Sequence, residues 1–486
     1  MKIKSICLAA LLVAGLASSC NKQLDELRPH NVIFEDIQFA QPEGYSKAVV
    51  GAYTLIAGGA VANAFNYNDM FTFLSEAKGN TIRALDAVVN KNTDAFDYIN
   101  SSIKDYSHTY EFWRGSYTIL LHLNKILAHV KADETNPVIL QAKAEALFLR
   151  AYVYFNLVRL YGKPFYQSPS ESLGVMLILD DKISLDFAPK RASVQEVYSQ
   201  ILSDLETAAP LFVQKKSNSY GSKYAAYALL SRVYLYMGGT VDNPVANFNQ
   251  KAVEYADKVI KEGGYQLLQD QAYLDYYKTN NVNNKEDIFA VNTDYATGGM
   301  ISNYFVMPQQ IGYSGGLYRP SPYFLSLLAS NDKRNNFYIN NVTPGYPDDN
   351  RAVSKYMIRY QSLFDNSPLR YLRLAEMYLN RAEAYAKLNK AADALSDVNV
   401  IRQRAGLPAL SGLEGKSLMD EILKQRKLEL AFEGHASYDE FRNGLMMIRN
   451  YKSGSSGEMS VSPTDKKIIM QLPEEEIIAN PNLVQN

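Results

Sequence analysis

A helix-period pattern over residues 141–161 constrains this chain more than any other feature. Ala144, Leu147, Phe148, Ala151, Tyr152, Phe155, Leu157, Val158 and Tyr161 recur mostly three and four positions apart, so they share one broad helical face. Gly162 and Pro164 then stop the helix. The same period predicts helices over residues 113–130, 193–208, 223–237, 248–261, 369–388, 391–405 and 418–432. Stops follow several of them, including Gly263-Gly264 and Gly406 with Pro408 beyond. The chain is therefore expected to be mainly α.

These helices come in pairs across short turns. In the pair 378–388 and 391–405, Ala382, Ala384, Ala386, Ala392 and Ala394 let two backbones approach, while Tyr385 and Leu395 fill the gaps. Tetratricopeptide-like hairpins need that mixture, and residues 225–237 with 248–260 repeat it. The strict 34-residue repeat is not met. Three stretches break the helical pattern: 64–110, 265–347 with strand-like pieces such as 288–292, and 450–486. Long irregular segments in a packed protein are usually functional or disordered, and these are too aromatic for simple disorder. The expected fold is a helical hairpin scaffold with an irregular loop-rich region containing short strands.

The N-terminus reads as an export signal. Lys2 and Lys4 precede an apolar run from Ile6 to Ala17, too short to span a membrane comfortably, and Ser18 and Ser19 stand before Cys20. This ending resembles a bacterial lipoprotein signal, although Leu16 sits one place further from the cysteine than the strict pattern asks. Of the two cysteines, Cys7 lies inside the signal, so a chain starting at Cys20 keeps one thiol. That thiol has no internal disulfide partner and suits acylation. Residues 1–19 are thus expected to be the signal, Cys20 the lipidation site, residues 20–40 a tether and residues 41–486 a single domain. The 50 basic and 51 acidic side chains give no basic surface for nucleic acid.

With these features in hand, the sequence resembles the SusD/RagB family of Bacteroidetes outer-membrane nutrient-binding lipoproteins. The resemblance runs through Ala144-Glu145-Ala146-Leu147-Phe148-Leu149-Arg150-Ala151-Tyr152, Leu229-Leu230-Ser231-Arg232-Val233-Tyr234-Leu235 and Arg373-Leu374-Ala375-Glu376-Met377-Tyr378-Leu379. It continues through Arg381-Ala382-Glu383-Ala384-Tyr385, Arg404-Ala405-Gly406, Phe432-Glu433-Gly434 and the closing Asn480-Pro481-Asn482-Leu483. It implies a surface lipoprotein of the outer membrane that captures an oligomeric nutrient over a TonB-dependent, SusC-like barrel. The family is one of binding proteins, not enzymes. Two positions depart from it. Where the family often shows Glu-Gly-x-Arg, this chain has Glu433-Gly434-His435-Ala436, which puts a local ion pair in doubt. A frequent family Asp is Asn80, close to the expected ligand side.

Motifs that could carry catalysis read better as structure. Gly312-Tyr313-Ser314-Gly315-Gly316 matches a hydrolase nucleophile elbow, but Pro308, Pro320 and Pro322 interrupt the strand and helix an elbow needs. Gly412-Leu413-Glu414-Gly415-Lys416-Ser417 is two residues short of a phosphate loop. The histidines at 30, 108, 122, 129 and 435 form no metal motif; His122 and His129 are separated by about 10 Å of helical rise. No catalytic residue, metal or cofactor is expected. Glu383, Arg402, Arg404, Glu433, Asp439 and Arg442 are assigned to buried ion pairs or helix-dipole contacts, and Trp113 to the core.

A sugar offers a flat C–H face and a fringe of hydroxyls, so its site needs an exposed aromatic plane beside polar donors. The 36 tyrosines, against 20 Phe and 1 Trp, make such surfaces plausible. The ligand contacts expected are Tyr67, Asn80, Arg83, Asp86, Tyr98 and Asn100 in the first irregular stretch. In the second, which runs on to Tyr323, they are Tyr295, Tyr304, Tyr313 and Tyr318. The alternative is that these tyrosines pack the loops or the barrel interface. The nutrient is expected to be an oligosaccharide. Peptide capture within the same family, an envelope adaptor without ligand, and a hydrolase using Ser314 or a carboxylate pair are the rivals.

Overall fold

The computed structural model describes residues 35–57, 67–84, 95–98, 108–182, 184, 186–291, 305, 318–340, 351–356, 368–451 and 457–486. Helix α1 is Pro42–Ala57, α2 Tyr67–Ala77, α3 His108–Ala128 and α4 Pro137–Tyr161. Then come α5 Val194–Leu211, α6 Lys223–Met237, α7 Ala246–Glu262, α8 Leu374–Lys387, α9 Ala391–Arg404, α10 Gly415–Glu429 and α11 Ala436–Phe441. Helix α4 is the central element. Asn136 caps it by accepting the Val138 N–H, Pro137 opens its first turn, and Gly162 ends it. It is buried on nearly every side because α1, α3 and α5 all pack against it.

From α4 the chain continues as packed neighbours: α5 against α6, α6 against α7, α7 against α8, α8 against α9, and α10 across α8 and α9. Alanines make the close contacts, as the hairpin pattern predicts. Ala225, Ala226 and Ala228 on α6 and Ala252 and Ala256 on α7 are fully buried, and Ala382 and Ala394 pack with Val398, Leu418 and Ile422. The α8–α9 turn is closed by Asn389 at φ +59°.

Buried charges lock these helices. Glu383 on α8 accepts both Arg442 guanidinium nitrogens at 2.6 Å, and Arg442 also meets Asp439 at 2.6 Å. Arg404 on α9 bridges Glu286 at 2.7 Å and Glu429 at 2.5 Å, while Arg373 reaches Glu429 and Glu433 at 2.7 Å each. Glu383, Arg402, Arg404, Glu433, Asp439 and Arg442 are therefore all ion-paired in the interior, Arg402 with Glu421 at 2.5 Å. Ala436 can make no ion pair, and the nearby Asp439 is paired instead by Arg426 at 3.2 Å and Arg442 at 2.6 Å.

The structure corrects two sequence assignments. Residues 369–388 are not one helix: Leu369–Arg373 form a strand antiparallel to Asp287–Val291, which buries Leu369 and Leu372 and brings Arg373 into the charge network. The irregular stretch 64–110 contains α2, whose apolar side fits between α1, α3 and α11. The tether's last residues, Glu35–Ala40, dock on α3, where Glu35 pairs with Lys125 and Phe39 stacks on His129 at 4.2 Å.

Candidate functional site

The two irregular stretches meet. Strand Ile82–Ala84 pairs antiparallel with Tyr318–Pro320, in the register Ile82↔Pro320, Arg83↔Arg319 and Ala84↔Tyr318. This ribbon makes one region of what the sequence shows as two.

Three of the predicted ligand tyrosines are buried, Tyr98 and Tyr318 around this ribbon and Tyr67 among helices. Tyr318 is fully enclosed, with ring centroids 5.3 Å from Phe73 and 5.9 Å from Phe96. Tyr98 packs with Phe441 and Met447, donates its hydroxyl to the Lys78 carbonyl and sits at φ +57°. Tyr67 stacks on Phe112 at 4.8 Å. None of the three shows a flat face to solvent, so their expected role as exposed platforms is corrected to packing. Tyr98 and Tyr318 fill space under irregular backbone, whereas Tyr67 packs between α2, α3 and α4, and burial pushes the Tyr67 and Tyr98 hydroxyls far above the usual tyrosine range. Trp113 is buried against Tyr117 and Tyr161, as expected. Asp86, Asn100, Tyr295, Tyr304, Tyr313, Ser314 and Cys20 lie outside the described residues. Arg83 is half-buried on the ribbon opposite Arg319.

Asn80 lies at the rim of a cleft of about 750 Å³. The turn after α2, the short helix Pro322–Ser326, α10, α11 and strand Met447–Arg449 frame it. Ser321 and Tyr451 donate to the Asn80 carbonyl at 2.6 and 3.2 Å, and the Asn80 amide donates to the Ile448 carbonyl at 3.2 Å. Its side-chain oxygen accepts the Lys427 ammonium at 2.7 Å. Lys427 also donates to Glu440 at 2.6 Å and lies 5.0 Å from the Tyr323 ring centroid. Amide, ammonium, carboxylate and a half-buried ring thus converge, with exposed Met446 and Ile448 at the edge.

Close packing shapes the cleft. Glu76, fully buried, accepts Thr81 at 2.9 Å and the Gly434 and His435 amides at 2.9 and 3.2 Å, which holds the end of α2 to the start of α11. A Cβ on Gly79 would come 2.5 Å from the Ala436 Cβ, so glycine is required at this crossing. Ala436 lines the cleft as Asn80 does, so the two sequence departures face one space. Burial raises Glu440 above the ordinary carboxylate range against the pull of Lys427, whereas Glu440 and Tyr323 hold Lys427 above its ordinary value despite burial. Burial and the nearby Arg232 and Arg426 keep His435 neutral.

Lys427, Glu440 and Tyr323 were not among the predicted contacts. Lys427 and Glu440 sit in helices that read as scaffold, and nothing in their spacing joins them to Asn80. Among the described residues no group of three or more His, Cys, Asp or Glu is arranged to hold a metal, and no helix is long and apolar enough to cross a membrane.

A helical-hairpin scaffold that carries a polar, ring-bearing cleft beside an irregular ribbon defines a binding protein of the tetratricopeptide-like class. A family model described as "Starch-binding associating with outer membrane" matches residues 45–235, and one described as "SusD family" matches residues 238–486. The chain belongs to the SusD family, which is carbohydrate-binding and associated with the outer membrane. A SusD-like protein of Formosa agariphila is 25% identical over 92% of this chain and 91% of its own. One from Bacteroides ovatus is 28% identical over 67% of this chain and 64% of its own. A SusD superfamily protein of Bacteroides thetaiotaomicron superposes with a TM-score of 0.78 at 26% identity, covering 92% of this chain and 99% of that one.

Proposed function

We propose that this chain is a surface lipoprotein, anchored through acyl chains on Cys20, that captures an oligosaccharide and delivers it to a TonB-dependent, SusC-like outer-membrane barrel. It binds and hands over its ligand without cleaving it. The cleft at Asn80 carries this reading: an aromatic face at Tyr323 stands beside amide, ammonium and carboxylate groups, the mixture that a sugar's apolar face and hydroxyl fringe call for. Family membership supports the nutrient class, and the signal-like start with Cys20 supports the anchor.

Two measurements test it. Affinity purification of the native lipoprotein from membranes is expected to bring down a barrel transporter; reproducible absence of one favours an envelope adaptor. Titration with oligosaccharide and peptide panels is expected to give saccharide binding that Tyr323→Ala weakens. Binding confined to peptides would move the protein to the peptide-capturing reading, and release of shortened products that depends on Ser314 would make it a hydrolase.

A further inference from the structure

Lys427 on α10, Asn80 in the turn after α2 and Glu440 on α11 meet along the cleft. The Lys427 ammonium donates to Asn80 Oδ1 at 2.7 Å, to Glu440 Oε1 at 2.6 Å and to the Tyr323 hydroxyl, which fixes its nitrogen against the Asn80 side-chain amide. Asn80 is fixed as firmly, because its Nδ2 donates to the Ile448 carbonyl and its backbone carbonyl accepts Ser321 and Tyr451. With Nζ 2.7 Å from Oδ1 and a C=O bond of about 1.23 Å, Cγ stands close to the separation of about 3–3.5 Å at which reacting atoms meet. Glu440 supplies a third part. Its Oε2 is buried without a hydrogen-bond partner, so burial favours the protonated carboxyl and equips it to take a proton from the ammonium. The amine, the amide and the proton carrier of a transamidation are therefore in one contact.

We propose that Lys427 and Asn80 become joined by an intramolecular isopeptide bond, with Glu440 as the proton carrier. Glu440 takes one proton from Nζ, and the neutral amine turns about its Cε–Nζ bond and attacks Cγ of Asn80. The Nζ–Cγ bond forms as the Cγ–Nδ2 bond breaks. The surplus proton on Nζ and the one on Glu440 pass to Nδ2, which leaves through the cleft as ammonium. Glu440 ends as it began, and no oxidant or cofactor is used. The ion pair favours the ammonium form of Lys427, so the bond forms slowly in the folded protein rather than during folding. It closes a covalent loop between positions 347 apart, a tie that Cys20, the one thiol after Cys7, cannot make as an internal disulfide. The cleft keeps the Tyr323 ring, the Glu440 carboxylate and an amide, so the bond and ligand capture are tested separately.

The test is peptide mapping by tandem mass spectrometry on the full lipoprotein, incubated folded at neutral pH, then boiled in denaturant and cut with trypsin. The expected product is a branched peptide in which residues 79–83 are joined to residues 427–442, uncut after Lys427 and lighter than the two segments together by one ammonia. Its yield is expected to rise with incubation, and the denatured chain to run faster on a gel than Lys427→Met, which cannot close the loop. Glu440→Gln, checked by its melting curve, is expected to slow formation by about 100-fold or more. Asn80 can also lose ammonia by cyclising onto the Thr81 amide, a reaction that needs no lysine. A mass deficit that maps to a linear peptide, or that persists in Lys427→Met, therefore overturns the assignment. So does wild-type protein that yields only the separate linear peptides after long incubation, a result that stands whether or not any variant folds. Cross-linking at the wild-type rate in a folded Glu440→Gln overturns the part given to Glu440.

Discussion

The hairpin scaffold and the ribbon region both bury arginine and lysine, but they satisfy them differently. In the scaffold the partners are carboxylates on neighbouring regular elements: Arg232 with Glu376 at 2.5 Å, Arg404 with Glu286, Arg442 with Glu383. Around the ribbon the partners are backbone carbonyls. Lys78 donates to the Lys467 and Ile468 carbonyls at 2.8 and 3.2 Å, and Arg449 donates to those of Ala77, Gly79 and Phe96 at 2.5 to 3.0 Å. Helices consume their own carbonyls, so a buried cation between helices turns mainly to side chains, carboxylates in these pairs and Asn156, Tyr236 and Tyr371 for Arg159. Irregular backbone leaves carbonyls over, and a buried cation there ties loops together. The cleft sits where the two regimes meet, since Lys427 is shared between Glu440 on α11 and Asn80 on the ribbon side.

The sharpest break of this contrast is Arg373→Met, which takes one cation from each of Glu429 and Glu433 in the scaffold and leaves Arg404 with the first and Lys355 with the second. It is expected to cost about 3–5 kcal/mol in chemical denaturation, enough to unfold much of the protein. On the ribbon side, Tyr98→Ala removes a buried ring and is expected to cost about 3 kcal/mol. Hydrogen exchange should rise first in residues 77–84 and 447–461 and leave α4 protected. Equal exchange in α4 would mean that the two regions unfold as one.

Acidity separates the regions further. Burial lowers Lys78 from an ordinary 10.5 to about 7, so from about pH 7 to 10.5 the unfolded chain holds a proton that the folded chain does not. Stability from this group therefore rises with pH across that window, and Lys78→Met should flatten the slope in denaturation series; an unchanged slope would remove Lys78 as its source. The smallest effect on stability is expected for Tyr323→Ala, within about 0.5 kcal/mol, because the ring is only half-buried at the cleft mouth. Its effect should appear in ligand binding instead, and a large melting shift would make Tyr323 a packing residue like Tyr98.

How much of this was legible from the residues differs between the regions for a physical reason. Helical period and alanine placement are local signals, so the hairpins and the core position of Trp113 could be read directly, whereas for Glu383, Arg404 and Arg442 a structural role could be read but not the partners 59 and 118 positions away. Leu369–Arg373 misled because its apolar residues fit a helix as well as a strand until a partner strand is known. The ribbon tyrosines misled because aromatic residues among Asn, Gly and Pro look the same whether they face water or fill the space under loops.

By itself the sequence determined a mainly α hairpin scaffold and the family resemblance, because both are written in local spacing. Only the tertiary structure decided that the two irregular stretches form one ribbon, that Tyr67, Tyr98 and Tyr318 are packing residues, and that Asn80 shares a cleft with Lys427 and Glu440. Asn80 and Lys427 are 347 positions apart, and contacts at that separation leave no period in a chain.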